Sequence, residues 1–209
     1  IKIVHINKKE NTSKSINKDK VHEVFQQNIN EKLKSFYRLQ QEWVNSAYRN
    51  FNDFDTYLIL MYLMNKVYIN YSDRFHYMSM EAFYSQDKVG IEKINLIEIS
   101  KDLNIPKETV RRKINYLQAN EIIIRSGKSI FLHSKGLGIQ KPMSTIENMS
   151  SLLSKLSIYL SAEDWFGKAL EKEDIKKFIT EHFTVSWEYW YRFQIPYLTR
   201  HRSFFGDLE

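Results

Sequence analysis

Side chains that can bond to nucleic-acid bases and phosphates are concentrated in one stretch of the chain, between residues 107 and 128. The candidate DNA-binding residues are Lys107, Glu108, Thr109, Arg111, Arg112, Asn115, Arg125 and Lys128. Arginine can bond guanine through two hydrogen bonds, and asparagine can bond adenine in the same way. Threonine and lysine side chains can bond phosphate oxygens. These residue types predict contacts with double-stranded DNA, provided that the fold places them on one surface.

A helix over residues 107–118 is predicted to carry most of these side chains. Val110, Ile114 and Leu117 recur at the i, i+4, i+7 spacing of one helical face. Pro106 is favourable at the start of such a helix, where its missing N–H is not needed. The apolar stripe would pack inward and leave the polar side chains on the outer faces, where they suit the major groove of DNA.

A shorter helix is predicted just before it. Asn95 can cap this helix, and Glu98 stands three residues later, where it would reach back as in a capping box. Ile99 and Leu103 are four residues apart and share one face. Asn104 follows at the turn, and asparagine tolerates the left-handed backbone region better than most residues. The sequence therefore predicts a helix, a turn and a second helix.

A β-hairpin is predicted after the second helix. Two isoleucine-rich runs, residues 121–126 and 129–133, are joined by Gly127 and Lys128. Glycine at the first loop position fits a two-residue turn. Arg125 on the flank and Lys128 at the tip would then reach phosphates beside the groove.

The segment IEISKDLNIPKETVRRKINYLQANEIIIRSGKSIFL, residues 97–132, resembles the winged helix-turn-helix of bacterial transcription regulators, including the MarR and GntR types. It departs from that family at Asn104, where a glycine is usual in the turn, and at Glu121, where a glycine commonly ends the second helix. The resemblance implies a mainly α fold with a small β-hairpin wing and flanking N- and C-terminal helices. It also implies sequence-specific binding of double-stranded DNA in transcription regulation, with the recognition helix 107–118 in the major groove.

The MarR-type arrangement further implies a homodimer, whose terminal helices interlock, and a small-molecule effector. Two other functions are compatible with the same fold. One is a DNA-binding protein of the replication-initiation type, and the other is a winged-helix module for protein–protein interaction, since a fold does not determine a function.

Four regions are predicted along the chain. They are a flexible basic tail (1–20), an amphipathic N-terminal helix (21–50), a winged-helix DNA-binding domain (51–141) and a helical, aromatic-rich dimerisation or effector region (142–209). Within the DNA-binding domain, Asp53 or Asp55 would cap a buried helix over 54–69. Residues 70–93 look like an insertion that contains a short helix.

The C-terminal region begins with a predicted helix over 143–161. Its heptad-like seam consists of Ile146, Met149, Leu153, Leu156 and Leu160. That seam would serve a dimer interface or an internal helix pair. Two further helices are expected over 165–205, with a break near Thr184, and Pro196 would stop or kink the last one. The dense aromatics there favour core or dimer contacts over an effector pocket.

The composition narrows the class of protein. The net charge is 31 − 25 = +6, and the positive charge is concentrated in residues 1–50 and 96–141, which fits a basic DNA-binding part joined to an acidic one. Cysteine is absent, so disulfides and thiolate metal sites are excluded. Neither a metal-ligand spacing of histidines nor a phosphate-binding glycine loop is present. We therefore expect no enzyme activity, no cofactor and no metal.

The same sequence favours a cytoplasmic protein without a membrane partner. The longest apolar run covers the eight residues 57–64, whereas a membrane span needs about 20 residues. The first twenty residues lack the apolar core of a signal peptide.

Overall fold

The fold is mainly helical, as predicted, and its small antiparallel sheet has three strands instead of the two of the predicted hairpin. The computed structural model describes residues 18–27, 29–51, 53–75, 77–91, 95–127, 129–133, 142–162 and 168–205. The helices are α1 (Lys18–Gln27), α2 (Ile29–Phe51), α3 (Phe54–Phe75), α4 (Met80–Tyr84), α5 (Leu96–Leu103), α6 (Lys107–Ala119), α7 (Pro142–Ala162), α8 (Lys172–Glu181) and α9 (Phe183–Phe205). The strands are β1 (Lys88–Ile91), β2 (Ile123–Ser126) and β3 (Ser129–His133).

The chain divides into two compact units. The first unit comprises Ile1–Gln40 and Met143–Lys176, and the second comprises Gln41–Pro142 and Lys177–Glu209. This division differs from the predicted one, which groups residues 177–209 with residues 142–176. The difference arises because α9 packs along α3 and therefore belongs to the second unit.

Helix α3 forms the centre of the second unit. Every side chain from residue 54 to residue 64 is buried, because the run is apolar on nearly all sides of the helix. Asp53 caps α3, since its carboxylate accepts a hydrogen bond from the Thr56 N–H at 3.1 Å. The helix extends to Phe75, beyond the predicted end at residue 69.

Helix α9 lies antiparallel to α3. The rings of Phe54 and His201 are 5.3 Å apart at one end, and those of Tyr68 and Tyr191 are 5.3 Å apart further along. The aromatic residues of α9 that face α3 are thus core, as favoured from the sequence. Pro196 does not stop this helix, which continues to Phe205. One missing N–H is tolerated here because packing, more than local propensity, stabilises helices in proteins.

The sheet has the strand order β1-β3-β2. Ser126 pairs with Ser129, so the loop between β2 and β3 has two residues, and Gly127 adopts a φ of 59°. This confirms the predicted hairpin, although β2 begins at Ile123, after Glu121, which itself has a φ of 59°. Residues 70–93, predicted as an insertion with a short helix, also contain the strand β1, which was not predicted and which pairs with β3. The short helix is confirmed as α4.

In the first unit, α7 confirms the helix predicted over 143–161. Ile146, Met149 and Leu160 of the seam are buried, whereas the Leu153 side chain is 40% exposed. Ser154 donates a hydrogen bond to the Leu170 carbonyl at 2.9 Å, which ties α7 to the chain before α8.

Two helices, α1 and α2, take the place of the single helix predicted over 21–50, and α1 begins three residues earlier, at Lys18. Most of the predicted basic tail, residues 1–17, lies outside the described residues. Across the part of the chain that the structure describes, no helix combines the length and the apolar character needed to cross a membrane.

Candidate nucleic-acid interface

Helices α5 and α6 are joined by a turn that hydrogen bonds hold on both sides. Asn104 ends α5 in the left-handed conformation, with φ 53° and ψ 42°. The Ile105 N–H donates to the Ser100 carbonyl at 3.1 Å, and the Ser100 hydroxyl donates to the Ile105 carbonyl at 2.7 Å. Ile105 itself is buried. The turn therefore holds the start of α6 in a defined position relative to α5.

The cap at the start of α5 is confirmed, but the predicted capping box is wrong. The Asn95 side chain accepts from the Ile97 N–H at 2.9 Å. The Glu98 carboxylate instead faces α3, where it accepts from Lys66 Nζ at 2.6 Å and from the Tyr62 hydroxyl at 3.2 Å. The hydrogen bond from Lys66 lowers the pKa of Glu98. Glu98 pairs with Lys66 and not with the start of its own helix because donor and acceptor are then both charged, which strengthens the hydrogen bond.

Tyr62 adds a second link between α3 and α5. Its hydroxyl donates to Asp102 Oδ2 at 2.6 Å. Burial, together with the neighbouring carboxylates of Asp102 and Glu98, raises the pKa of Tyr62 far above its ordinary value. The phenol therefore keeps its single O–H, which it donates mainly to Asp102 at 2.6 Å and shares with Glu98 at 3.2 Å.

Helix α6 separates apolar and polar sides as predicted. Val110, Ile114 and Leu117 form its buried stripe. The predicted contact residues that are exposed on α6 are Lys107, Glu108, Arg111, Arg112 and Asn115. Thr109 is half-buried at the edge of the stripe. The structure thus brings five of the six candidate residues of this helix to its exposed side.

Lys113 is the one cation of α6 that does not lie on that side. It forms an ion pair with Asp53, the residue that caps α3, and its side chain is only 13% exposed. Burial alone would raise the pKa of Asp53, but hydrogen bonds from Lys113 and Thr56 and the charge of Lys113 outweigh it and lower that pKa. This ion pair anchors α6 to α3 and removes Lys113 from the set of available cations.

Two features of the exposed side of α6 were not predicted. Tyr116, next to Asn115, is exposed and adds an aromatic surface. Glu108 and Arg111 form an ion pair, in which Arg111 Nε lies 3.0 Å from each carboxylate oxygen. The hydrogen bond from Arg111 lowers the pKa of Glu108, and Glu108 in turn raises the pKa of Arg111.

The hairpin follows α6 directly. The Ile122 N–H donates to the Leu117 carbonyl at 3.0 Å, which links the end of α6 to the start of β2. Arg125 is exposed on β2, as predicted. Lys128, the predicted contact at the tip, lies outside the described residues.

Among the described residues, no group of three or more histidine, aspartate or glutamate side chains lies close enough together to hold a metal ion. The exposed polar side of α6, which carries Lys107, Arg111, Arg112 and Asn115, is the candidate functional surface. Its side chains can donate hydrogen bonds and carry positive charge, and a nucleic acid is bound through both.

A scan against protein-family models, a search among curated proteins and a search among solved structures each found no match to this chain.

Proposed function

We propose that this protein binds double-stranded DNA in a sequence-specific manner and acts as a transcription regulator, with α6 in the major groove. One observation carries the proposal: Arg111, Arg112 and Asn115 lie on the exposed side of a helix whose opposite side is buried. The major groove is about 12 Å wide and admits an α-helix. Arginine and asparagine are the side chains best suited to bond guanine and adenine there.

The order of the elements supports a winged helix-turn-helix fold. Helices α5 and α6 meet at a turn, and the hairpin of β2 and β3 follows and pairs with β1. In this fold the hairpin is the wing, and Arg125 on β2 would hold a phosphate beside the groove. Hydrogen bonds from α3 to α5 and the Lys113–Asp53 ion pair give α6 the rigid support that base recognition needs.

We also propose that two copies of the chain bind DNA as a homodimer. One recognition helix covers only a few base pairs, and a dimer spans two half-sites about 34–36 Å apart. Exposed apolar side chains on α7 supply a candidate interface. They are Met143, Leu153 and Ile158.

The main alternative is that the same fold binds another protein. Exposed apolar side chains on α5, α6 and β2 favour it. They are Ile97, Tyr116 and Ile124. A surface for a protein partner would bind through apolar contacts, whereas a DNA surface binds through cations, and its affinity falls steeply with salt.

Selection from a pool of randomised duplexes tests the proposal. We expect the protein to enrich a defined sequence motif and its affinity to fall as salt is raised. Arg111→Ala and Asn115→Ala should each lower affinity for the enriched motif by about tenfold and relax preference at one base position. Arg49→Ala, which removes an exposed arginine of α2, is the control and should change neither. If no motif is enriched, or both variants bind like the parent protein, the proposal is wrong.

A further inference from the structure

The Glu108–Arg111 pair raises the question of what a carboxylate does on a DNA-binding surface. The two residues are three positions apart on α6, so their side chains lie on the same face of the helix. Both remain exposed, at 74% for Glu108 and 54% for Arg111. Neither is required for the core, which leaves the pair available for a role in binding.

The geometry divides the arginine into two edges. A guanidinium group has five N–H donors. In this pair, Nε lies 3.0 Å from both carboxylate oxygens, and Nη2 also donates to Oε1. One edge of the guanidinium is thereby fully engaged with Glu108. The opposite end, formed by Nη1 and the second N–H of Nη2, keeps two parallel donors.

Those two parallel donors match one base in particular. In the major groove guanine presents two acceptors, O6 and N7, on adjacent positions, and arginine bonds both at once. Adenine presents one acceptor beside a donor, so it offers a poorer match to two donors. An arginine that is held along one edge therefore meets guanine with its conformation already restricted, which lowers the entropy lost on binding.

The carboxylate is poorly suited to contact DNA by itself. Each of its two oxygens already accepts from Arg111. Arg111, Arg112 and Lys107 all favour its ionised form, which lowers its pKa. An ionised carboxylate repels the phosphate backbone, so it reduces binding to every sequence alike. A residue that weakens all binding while improving one contact raises specificity.

We infer that Glu108 is a positioning residue that holds the Arg111 guanidinium for a guanine, and that Glu108 contacts no base. This inference rests on the proposed DNA-binding function. It departs from the assignment of Glu108 as a DNA-contacting residue, and it predicts which base the motif contains at the position that Arg111 contacts.

The experiment compares Glu108→Ala, Arg111→Ala and the double variant by the same duplex selection. The parent protein should enrich guanine at one position, and Arg111→Ala should lose that preference. Glu108→Ala should reduce the preference for guanine there by at least about threefold. This is less than the loss of the whole bidentate contact would cause, because the arginine is still present. The same variant should also bind random duplexes more tightly, with a salt slope steeper by about 1, since the released arginine can bind a phosphate.

Three comparisons make the result specific to positioning. The double variant should show the same base preference as Arg111→Ala, because Glu108 acts only through the arginine. Glu108→Gln keeps one carbonyl acceptor for Arg111 and should retain part of the guanine preference. Glu81→Ala removes an exposed carboxylate from α4 and controls for the change in net charge, so it should leave base preference unaltered.

Distinct outcomes would overturn the inference and the proposed function. If Glu108→Ala loses preference at a base pair other than the one lost in Arg111→Ala, Glu108 contacts a base and the inference fails. The same holds if the base lost in Arg111→Ala is not guanine. In both cases DNA binding itself stands. A parent protein that enriches no motif overturns the proposed function and this inference with it.

Discussion

Arg202, near the end of α9, forms an ion pair with Asp55 in the first turn of α3, and the same guanidinium reaches the turn between α5 and α6. Its Nη2 lies 3.0 Å from Asp55 Oδ2, and its Nη1 donates to the Asn104 carbonyl at 3.3 Å. The Asp55 side chain is 1% exposed. One arginine thus joins three parts of the second unit around a buried carboxylate.

Arg202→Ala should destabilise the protein strongly. Removing one partner of a buried pair leaves the other charge without compensation, which costs about 3–5 kcal/mol. Urea unfolding followed by circular dichroism would measure the change in the free energy of unfolding. Arg200→Ala, an exposed arginine of the same helix, is the matched control. A loss for Arg202→Ala no larger than that of the control would show that the pair contributes little.

Gly90→Ala should destabilise the sheet through a steric clash. A Cβ at this position would lie 2.6 Å from Cδ1 and 2.7 Å from Cε1 of Phe131, its partner on β3. Forcing extra volume into a packed site costs about 1–3 kcal/mol. Thermal unfolding would measure the loss. Adding Phe131→Val should recover part of it, because the smaller side chain frees the space, and a double variant as unstable as Gly90→Ala would place the strain elsewhere.

The Lys113–Asp53 ion pair predicts a pH dependence of stability. The folded pKa of Asp53 lies below its ordinary value of 3.8. Its contribution is therefore fully present above 3.8 and is lost as the pH falls through the folded pKa. Lys113→Met should lower stability at neutral pH and make it less sensitive to acid in that window. Urea unfolding of the parent protein and of Lys113→Met, at neutral pH and at a pH well below 3.8, tests this. If acid lowers the free energy of unfolding of both proteins by the same amount, the prediction is wrong.

Arg125 and Lys128 should contribute affinity without sequence preference. Arg125 is exposed on β2, and a phosphate contact carries no base information. Arg125→Ala should therefore weaken binding to all duplexes nearly equally and reduce the salt slope by about 1, as should Lys128→Ala. Titrations at several salt concentrations measure both quantities. An unchanged slope with lost discrimination would instead make either residue a base contact.

Leu153→Glu should disrupt the proposed homodimer. The side chain is 40% exposed in the middle of α7, so a charge there disturbs an interface more than it disturbs the fold. Sedimentation should show the parent protein as a dimer and the variant as a folded monomer that binds DNA weakly. Lys155→Glu, also exposed on α7, controls for charge. A monomeric parent protein would rule out the dimer.

Local geometry was predictable where neighbouring residues determine it. The buried stripe of α6, the left-handed Asn104 and the two-residue loop at Gly127 all follow from spacing or from the conformational freedom of one residue. The Glu108–Arg111 pair was also within reach of the sequence, because oppositely charged residues three apart on a helix are neighbours. Lys113 carried a similar signal, since it stands at i+3 from Val110, beside the apolar stripe.

What the sequence did not predict depends on partners far along the chain. Strand β1 has only four residues, one of them glycine, so this segment forms a strand only because it pairs with β3, about forty positions later. Glu98 pairs with Lys66 and not with the start of its own helix, and Arg202 pairs with Asp55, because tertiary packing brings each pair of residues together. Nothing in the spacing of these residues encodes such contacts.

The antiparallel pairing of α3 with α9 determines when the second unit can complete its core during synthesis. Asp55 and Arg202 are 147 positions apart, and contacts across such separations form slowly because loop closure costs entropy. A ribosome releases α3 long before α9 exists. The nascent chain therefore exposes the side of α3 that α9 covers in the folded protein until α9 has been synthesised.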